Sequence, residues 1–313
     1  MGKAGRAGGC LRAVLVLALL GTMAVLGYRA IVSHIGRTDG GDGASGSISE
    51  FIPQKEGSAP VRVSETDICK GDLILINRDA PYRFTEDKEL SSLYDYKNDT
   101  YKVKDKNVTL DTRIIDPLNQ LMGGFYAEHH IHDINVLSGY RSYEYQESLL
   151  RNEITEKGEA EAYRWVARPG SSEHHTGLAL DLGIYHDNGI SDEYTGAGKY
   201  AWVNENAWRY GFIVRYDAGK KDITGIADEP WHFRYVGVPH AYIIDQMNLC
   251  LEEYIEYLRD YRYGKKHLRV DCGGKRYEIY FTDDTDVYVP ADNPYRISGN
   301  NVDGFIVTVT YQK

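Results

Sequence analysis

Between Gly177 and Leu182 large and small side chains alternate without a break, Leu178, Leu180 and Leu182 against Gly177, Ala179 and Asp181. Side chains along an extended strand point to opposite faces in turn, so this run is a strand with one bulky apolar face and one face of small residues ending in a carboxylate. The apolar face demands a covering layer, and the small face leaves room for an ion or substrate. His174 lies just ahead, in the loop that follows Pro169 and Gly170.

The flanking sequence supplies the layer. Asp116 followed by Pro117 is a helix-start pattern, and Leu118, Leu121, Met122 and Tyr126 repeat at helical spacing behind it. Asp133 to Leu137 reads as a short strand, with helical stretches from about Tyr143 through Glu153 and from Ala160 to Val166. His129, His130 and His132 fall at the end of the preceding helix, where a solvated terminus accounts for them without a metal. A helix from about Tyr200 to Tyr210 stops at Gly211, and strands follow at Phe212 to Arg215 and Trp231 to Val236. Asp72 to Asn77, with Leu-Ile-Leu-Ile at its centre, reads as a first buried strand. Pro239 opens one amphipathic helix with Ile243, Ile244, Met247, Leu251, Ile255 and Leu258 on one side. From about Lys265 onward, short alternating runs broken by Gly273-Gly274 and Gly299-Asn300-Asn301 predict a small β module. The sum is an α+β fold, a central and mainly antiparallel sheet flanked by helices.

At the N-terminus Lys3, Arg6 and Arg12 precede an uncharged apolar run from Ala13 to Tyr28. That is an export signal, intermediate in length between a signal-peptide core and the roughly 20 residues of a full membrane helix. The basic residues ahead of it, with no clear A-x-A site behind, favour a retained single-pass anchor over residues 1–33 and a catalytic domain outside the cytoplasm; a cleaved signal peptide is the alternative. Residues 34–62 read as a flexible tether because Gly, Ser and acidic side chains bury little. Residues 63–262 then form the main domain and 263–313 the β module. A formal net charge of −10 over 313 residues excludes a general nucleic-acid binder, whose affinity needs clustered Lys and Arg. Cys69, Cys250 and Cys272 follow the anchor. Either Cys250 and Cys272 form a disulfide or the thiols are simply buried, and three scattered cysteines do not make a zinc site.

Two segments carry the chemistry, Ser172 to Asp181 (SEHHTGLALD) and Glu229 to His232 (EPWH). They offer two imidazoles and a carboxylate as metal ligands, with one carboxylate left over to receive a proton. Hydrolytic zinc sites use three protein ligands and keep a position for water, which suits this set. Residues three apart on a regular strand face opposite ways, so Glu229 and His232 share a cleft only if Pro230 marks a kinked strand end.

The order S-x-H-x-x-G-x-A-x-D followed by E-P-W-H resembles the VanY-like D-Ala-D-Ala carboxypeptidases, within a metallopeptidase group that also holds lysostaphin-type enzymes and hedgehog-like domains. Ser138-Gly139-Tyr140-Arg141-Ser142, Gln146, Trp208 to Tyr216 and Ile223 to Ile226 support the match, which spans roughly Asp72 to Gly237. The resemblance implies zinc held by His174, Asp181 and His232, Glu229 as the base that activates water and protonates the leaving amine, and Arg141 as the stabiliser of the oxyanion. It implies substrate contacts for Ser172 and Gln146. His175, next to a proposed ligand, reads as lying behind the ligands or toward solvent, and Trp231 as core or cleft wall rather than a chemical participant. The implied substrate is a peptidoglycan stem peptide ending in D-Ala-D-Ala. A D,D-dipeptidase, an endopeptidase and a non-catalytic zinc-containing wall-binding module are the alternatives, and the role of the β module stays open.

Overall fold

The computed structural model describes residues 46–53, 57–84 and 88–312. The expected anchor lies outside these residues, and among the described residues no helix is long and apolar enough to cross a membrane. In chain order the strands are β1 (Ser47–Phe51), β2 (Ser58–Arg62), β3 (Leu90–Ser92), β4 (Lys102–Val103), β5 (Thr109–Asp111), β6 (Ile134–Ser138), β7 (Ala179–Tyr185), β8 (Ser191–Glu193), β9 (Phe212–Tyr216), β10 (Glu229–Tyr235), β11 (His267–Cys272), β12 (Lys275–Thr282), β13 (Asp286–Pro290), β14 (Tyr295–Gly299) and β15 (Phe305–Tyr311).

The central sheet runs β4-β6-β7-β10-β9, with β8 added to the far end of β7. Its pairs are antiparallel apart from β4 with β6. The alternation read in the sequence is the device that orients β7. Leu178, Leu180, Leu182 and Ile184 enter one core cluster with Leu118, Leu121, Met122 and Phe125 of helix α1 (Ile115–His129) and with Phe233. Each such side chain stabilises the fold by about 1.5–3 kcal/mol when fully buried. The opposite face of the same two strands therefore carries Asp181 and, directly across from it, His232. Helix α1 starts at Ile115 with Pro117 in its first turn, and it ends where His130 takes a left-handed conformation with φ 55°.

The expected tether is corrected for its described part. β1 pairs along its length with β11, Ser47 opposite Asp271 and Phe51 opposite His267, while β2 pairs with β13. Composition misled because strand addition to a preformed edge is driven by main-chain hydrogen bonds and needs few apolar side chains. The C-terminal sheet, ordered β1-β11-β12-β15-β14, is thus assembled from segments far apart in the chain.

Two further expectations change. Leu73 to Ile76 are buried but not a strand. Their backbone is satisfied instead by Arg234, which donates to the carbonyls of Asp72 and Ile74, and by Asn301, which donates to that of Leu75. The amphipathic helix after Pro239 is two helices, α2 (His240–Gln246) and α3 (Leu251–Leu258), because Asn248 adopts φ 51° and Glu253 caps the amide of Cys250 to start the second. Cys69, Cys250 and Cys272 are buried thiols, so the disulfide alternative falls.

Candidate metal centre and active site

Four elements converge at the face of β7 and β10 opposite helix α1. His174 sits on a single 3-10 turn, Glu173–Thr176, closed by Gly177 in a left-handed conformation with φ 75°. Glycine is required there twice over: the backbone angle disfavours a side chain, and a Cβ would lie 2.8 Å from a Leu90 methyl and 3.0 Å from the Asp111 amide nitrogen. The room expected beside Gly177 for an ion or substrate is filled by this packing.

His174 Nδ1 donates to the Gly139 carbonyl at 2.6 Å, which leaves Nε2 as the basic nitrogen, 3.2 Å from Asp181 Oδ2. His232 Nδ1 lies 3.0 Å from Asp181 Oδ1. One ligand atom from each of His174, Asp181 and His232 falls within 4.8 Å of the others. His174 Nε2 is buried without a hydrogen-bond partner. A buried imidazole nitrogen left without a donor, converging with a second imidazole and a carboxylate, fits a zinc ion of tetrahedral preference.

Electrostatics agree with a cation site. Burial and the nearby Arg141 push His174 down to about 4, keeping it neutral and available as a ligand. Burial also works against ionised Asp181, yet His174 and Arg141 outweigh it and hold the carboxyl well below its ordinary range. His232 is the opposite case: burial disfavours its charged form, but Asp181 and Glu173 raise it to about 9. A proton and a metal ion compete for that ring.

Glu229 reaches the same cleft through the irregularity that Pro230 foreshadows. The β10–β9 register shifts between Glu229 and Phe233, so Glu229 Oε2 comes within 3.8 Å of His232 Nδ1 although three residues separate them. Burial pushes Glu229 up to about 7, with Asp181 adding to the shift and His232 and Arg141 opposing it. A carboxylate poised near neutrality is matched to proton transfer.

Arg141 enters from the turn after β6. Its Nη2 donates to Asp181, its Nε donates to Ser138 Oγ at 2.9 Å and its Nη1 faces Gln146 Oε1 at 3.4 Å. With Asp181, Ser138, Tyr145, Leu149 and Trp231 it lines a cleft of about 380 Å³. Trp231 is thus cleft wall, stacked on Trp165 with 6.5 Å between ring centroids.

The remaining expected residues sit further back. Gln146 is buried, and its amide nitrogen donates to the Ala167 carbonyl at 2.8 Å while its oxygen faces Arg141. Ser172 is buried ahead of the His174 turn and makes no side-chain capping bond there. His175 is buried as well, with Nδ1 donating to the Arg141 carbonyl at 2.7 Å and Nε2 accepting from the Gly170 amide at 3.0 Å. It ties the arginine turn to the loop ahead of Ser172, and is not turned to solvent.

Sequence reading missed Glu173, Arg215 and Arg234. Glu173 accepts hydrogen bonds from Arg215 Nε at 2.8 Å and Arg234 Nη1 at 2.9 Å, and all three side chains are fully buried. The available signal was charge inside the otherwise apolar runs FIVRY and WHFRY, since a buried arginine demands a carboxylate partner.

The family model for VanY, D-alanyl-D-alanine carboxypeptidase, matches residues 107–238. A D-alanyl-D-alanine carboxypeptidase of Enterococcus faecium is 36% identical over 253 residues, 79% of this chain and 78% of that protein. The chain belongs to the D-alanyl-D-alanine carboxypeptidase family. Among solved structures, the vancomycin resistance D,D-dipeptidase VanXYg in complex with a D-Ala-D-Ala phosphinate analogue aligns with TM-score 0.73 and 31% identity, covering 81% of this chain and 99% of that one. A mutant of the vancomycin resistance D,D-pentapeptidase VanY from a VanB-type cassette, in complex with Zn(II), aligns with TM-score 0.50 and 36% identity over 59% of this chain and 98% of its own. The D,D-peptidase fold expected from the sequence, mixed α and β around antiparallel sheets, is the fold shared with these neighbours.

Proposed function

We propose that this enzyme is a zinc-dependent D,D-carboxypeptidase that removes the terminal D-Ala from peptidoglycan stem peptides or their precursors. The observation that carries the reading is the convergence of His174 Nε2, His232 Nδ1 and an Asp181 oxygen beside Glu229, at the edge of an open cleft. Zinc, when bound by these three residues, supplies a Lewis acid that acidifies water and polarises the scissile carbonyl.

Glu229 takes the proton released as water attacks and returns it to the departing amine of D-Ala, a task suited to a carboxylate near neutrality. Arg141 offers a preoriented cation where negative charge develops on the carbonyl oxygen, its guanidinium held by Ser138 and Gln146. Ser172 and Gln146 are the residues read as contacting the substrate, Gln146 from beside Arg141. The presence of both Glu229 and Arg141 sets this chain apart from a non-catalytic wall-binding module. An N-terminal anchor with the catalytic domain outside the cytoplasm fits a wall substrate and the basic residues ahead of Ala13.

The test is product analysis. The purified protein with zinc releases one D-Ala from a stem pentapeptide ending in D-Ala-D-Ala, and no release overturns the proposal. The likeness to a D,D-dipeptidase along 81% of the chain favours one second reading, cleavage of free D-Ala-D-Ala. Turnover of the dipeptide faster than the pentapeptide selects it.

A further inference from the structure

Behind the ligand set lies a carboxylate that the proposed reaction does not use. Glu173 Oε2 is buried and has no hydrogen-bond partner, and the atom it faces, His232 Nε2 at 3.5 Å, is buried and unpartnered as well. Leaving two buried polar atoms unsatisfied is destabilising. Here the two are complementary, an imidazole nitrogen that can carry a proton and a carboxylate oxygen that can accept it. A closure of a few tenths of an ångström joins them in an ordinary hydrogen bond. The same ring presents its other nitrogen, Nδ1, to Asp181 Oδ1 at 3.0 Å.

Glu173 is itself held by two arginines. Arg215 and Arg234 both bind its Oε1. Arg215 is gripped in turn by both carboxylate oxygens of Glu252 on α3, at 2.7 and 2.9 Å. Arg234 spans to the Asp72 and Ile74 carbonyls at 3.0 and 2.9 Å.

We propose that Glu173 is a positioning residue for the metal: its Oε2 accepts the Nε2–H of His232 and so keeps the Nδ1 lone pair turned toward the ion, while Arg215 and Arg234 lock the carboxylate in place. A carboxylate behind a metal-binding histidine fixes both the tautomer and the ring plane. The charged pair of arginines has a structural task and, through Glu173, a second one. This inference rests on the zinc reading above.

The experiment has two arms. In the zinc-loaded wild-type protein with 15N-labelled histidine, NMR shows Nε2 of His232 protonated and Nδ1 metal-bound. A metal-bound Nε2 overturns the proposal. In Glu173→Asp, which keeps the charge balance with the two arginines but withdraws the oxygen from His232, competition against a chromophoric chelator shows zinc affinity about 10- to 100-fold weaker. The zinc-free variant unfolds at the wild-type temperature. Affinity within twofold of wild type overturns the proposal, and if the variant does not fold the tautomer measurement decides alone. Failure of the wild type to bind zinc at all is a different result, which overturns the functional reading and this inference together; zinc bound through His232 Nδ1 without D-Ala release overturns only the former.

Discussion

Asp181 and His232 are cross-strand partners on β7 and β10, with Oδ1 of one 3.0 Å from Nδ1 of the other. The candidate metal site is therefore set by sheet register. A slip of one residue would send either side chain to the helix-covered face. His174 completes the set from outside the sheet, its ring at 87° to that of His232.

Asp181 is proposed as a ligand and is the hydrogen-bond partner of Arg141. Asp181→Asn is expected to lose stoichiometric zinc, measured as metal content after dialysis against a weak chelator. Full metal retention with normal turnover would show that the carboxylate is dispensable.

Glu229 lies 3.8 Å from His232 and outside the proposed ligand set of His174, Asp181 and His232. Glu229→Gln is expected to retain zinc and to lower kcat by about 100- to 10,000-fold, the usual range for a general acid–base group. Loss of zinc in the same variant would reassign Glu229 to the metal.

Arg141 and Gln146 separate contact from support. Arg141→Lys keeps the charge but loses the planar fork, and a fall in kcat of about 100- to 1,000-fold is expected for a removed oxyanion donor. Gln146→Ala removes the bond to the Ala167 carbonyl and the contact to Arg141. It is expected to lower kcat more than it raises KM, because it loosens the arginine without touching substrate. A change confined to KM would instead support the substrate-binding role read from the sequence.

Gly177→Ala places a Cβ against Leu90 and the Asp111 backbone at φ 75°. A destabilisation of about 1–3 kcal/mol is expected from the left-handed conformation alone, read from urea midpoints. Zinc affinity falls with it, since His174 sits on the turn that Gly177 closes.

Away from the site, His240 is buried between the Tyr254 hydroxyl at 2.7 Å and Thr308 Oγ1 at 2.8 Å. Burial, with a smaller push from Arg296, lowers it to about 3. In the unfolded chain an ordinary histidine takes up its proton below about pH 6.5, while the folded chain resists until far lower. Stability is thus intact above that pH and falls by up to about 1.4 kcal/mol per unit as the pH drops toward 3. His240→Gln is expected to flatten this dependence, seen as a smaller difference in urea midpoint between pH 7 and pH 5. An unchanged slope would assign the acid sensitivity to other groups.

Much of this protein was legible before folding was considered. Period-two alternation oriented β7, the spacing of Leu118, Leu121 and Met122 marked the covering helix, and Pro230 announced the strand irregularity that brings Glu229 beside His232. These are local signals, carried by backbone geometry and side-chain size within a few residues. What the linear order left open were the long-range decisions. β1 and β2 join strands more than 200 residues away, as the contact of Ser47 with Asp271 shows. Of the two places open to His175, behind the ligands or toward solvent, the fold chose the first, and Gln146 is buried against Arg141 and the Ala167 carbonyl. Glu173 meets Arg215, Arg234 and His232 only when three separate segments pack together. A buried charge reveals its partner in space alone, because low-dielectric pairing depends on distance through the fold and not on distance along the chain.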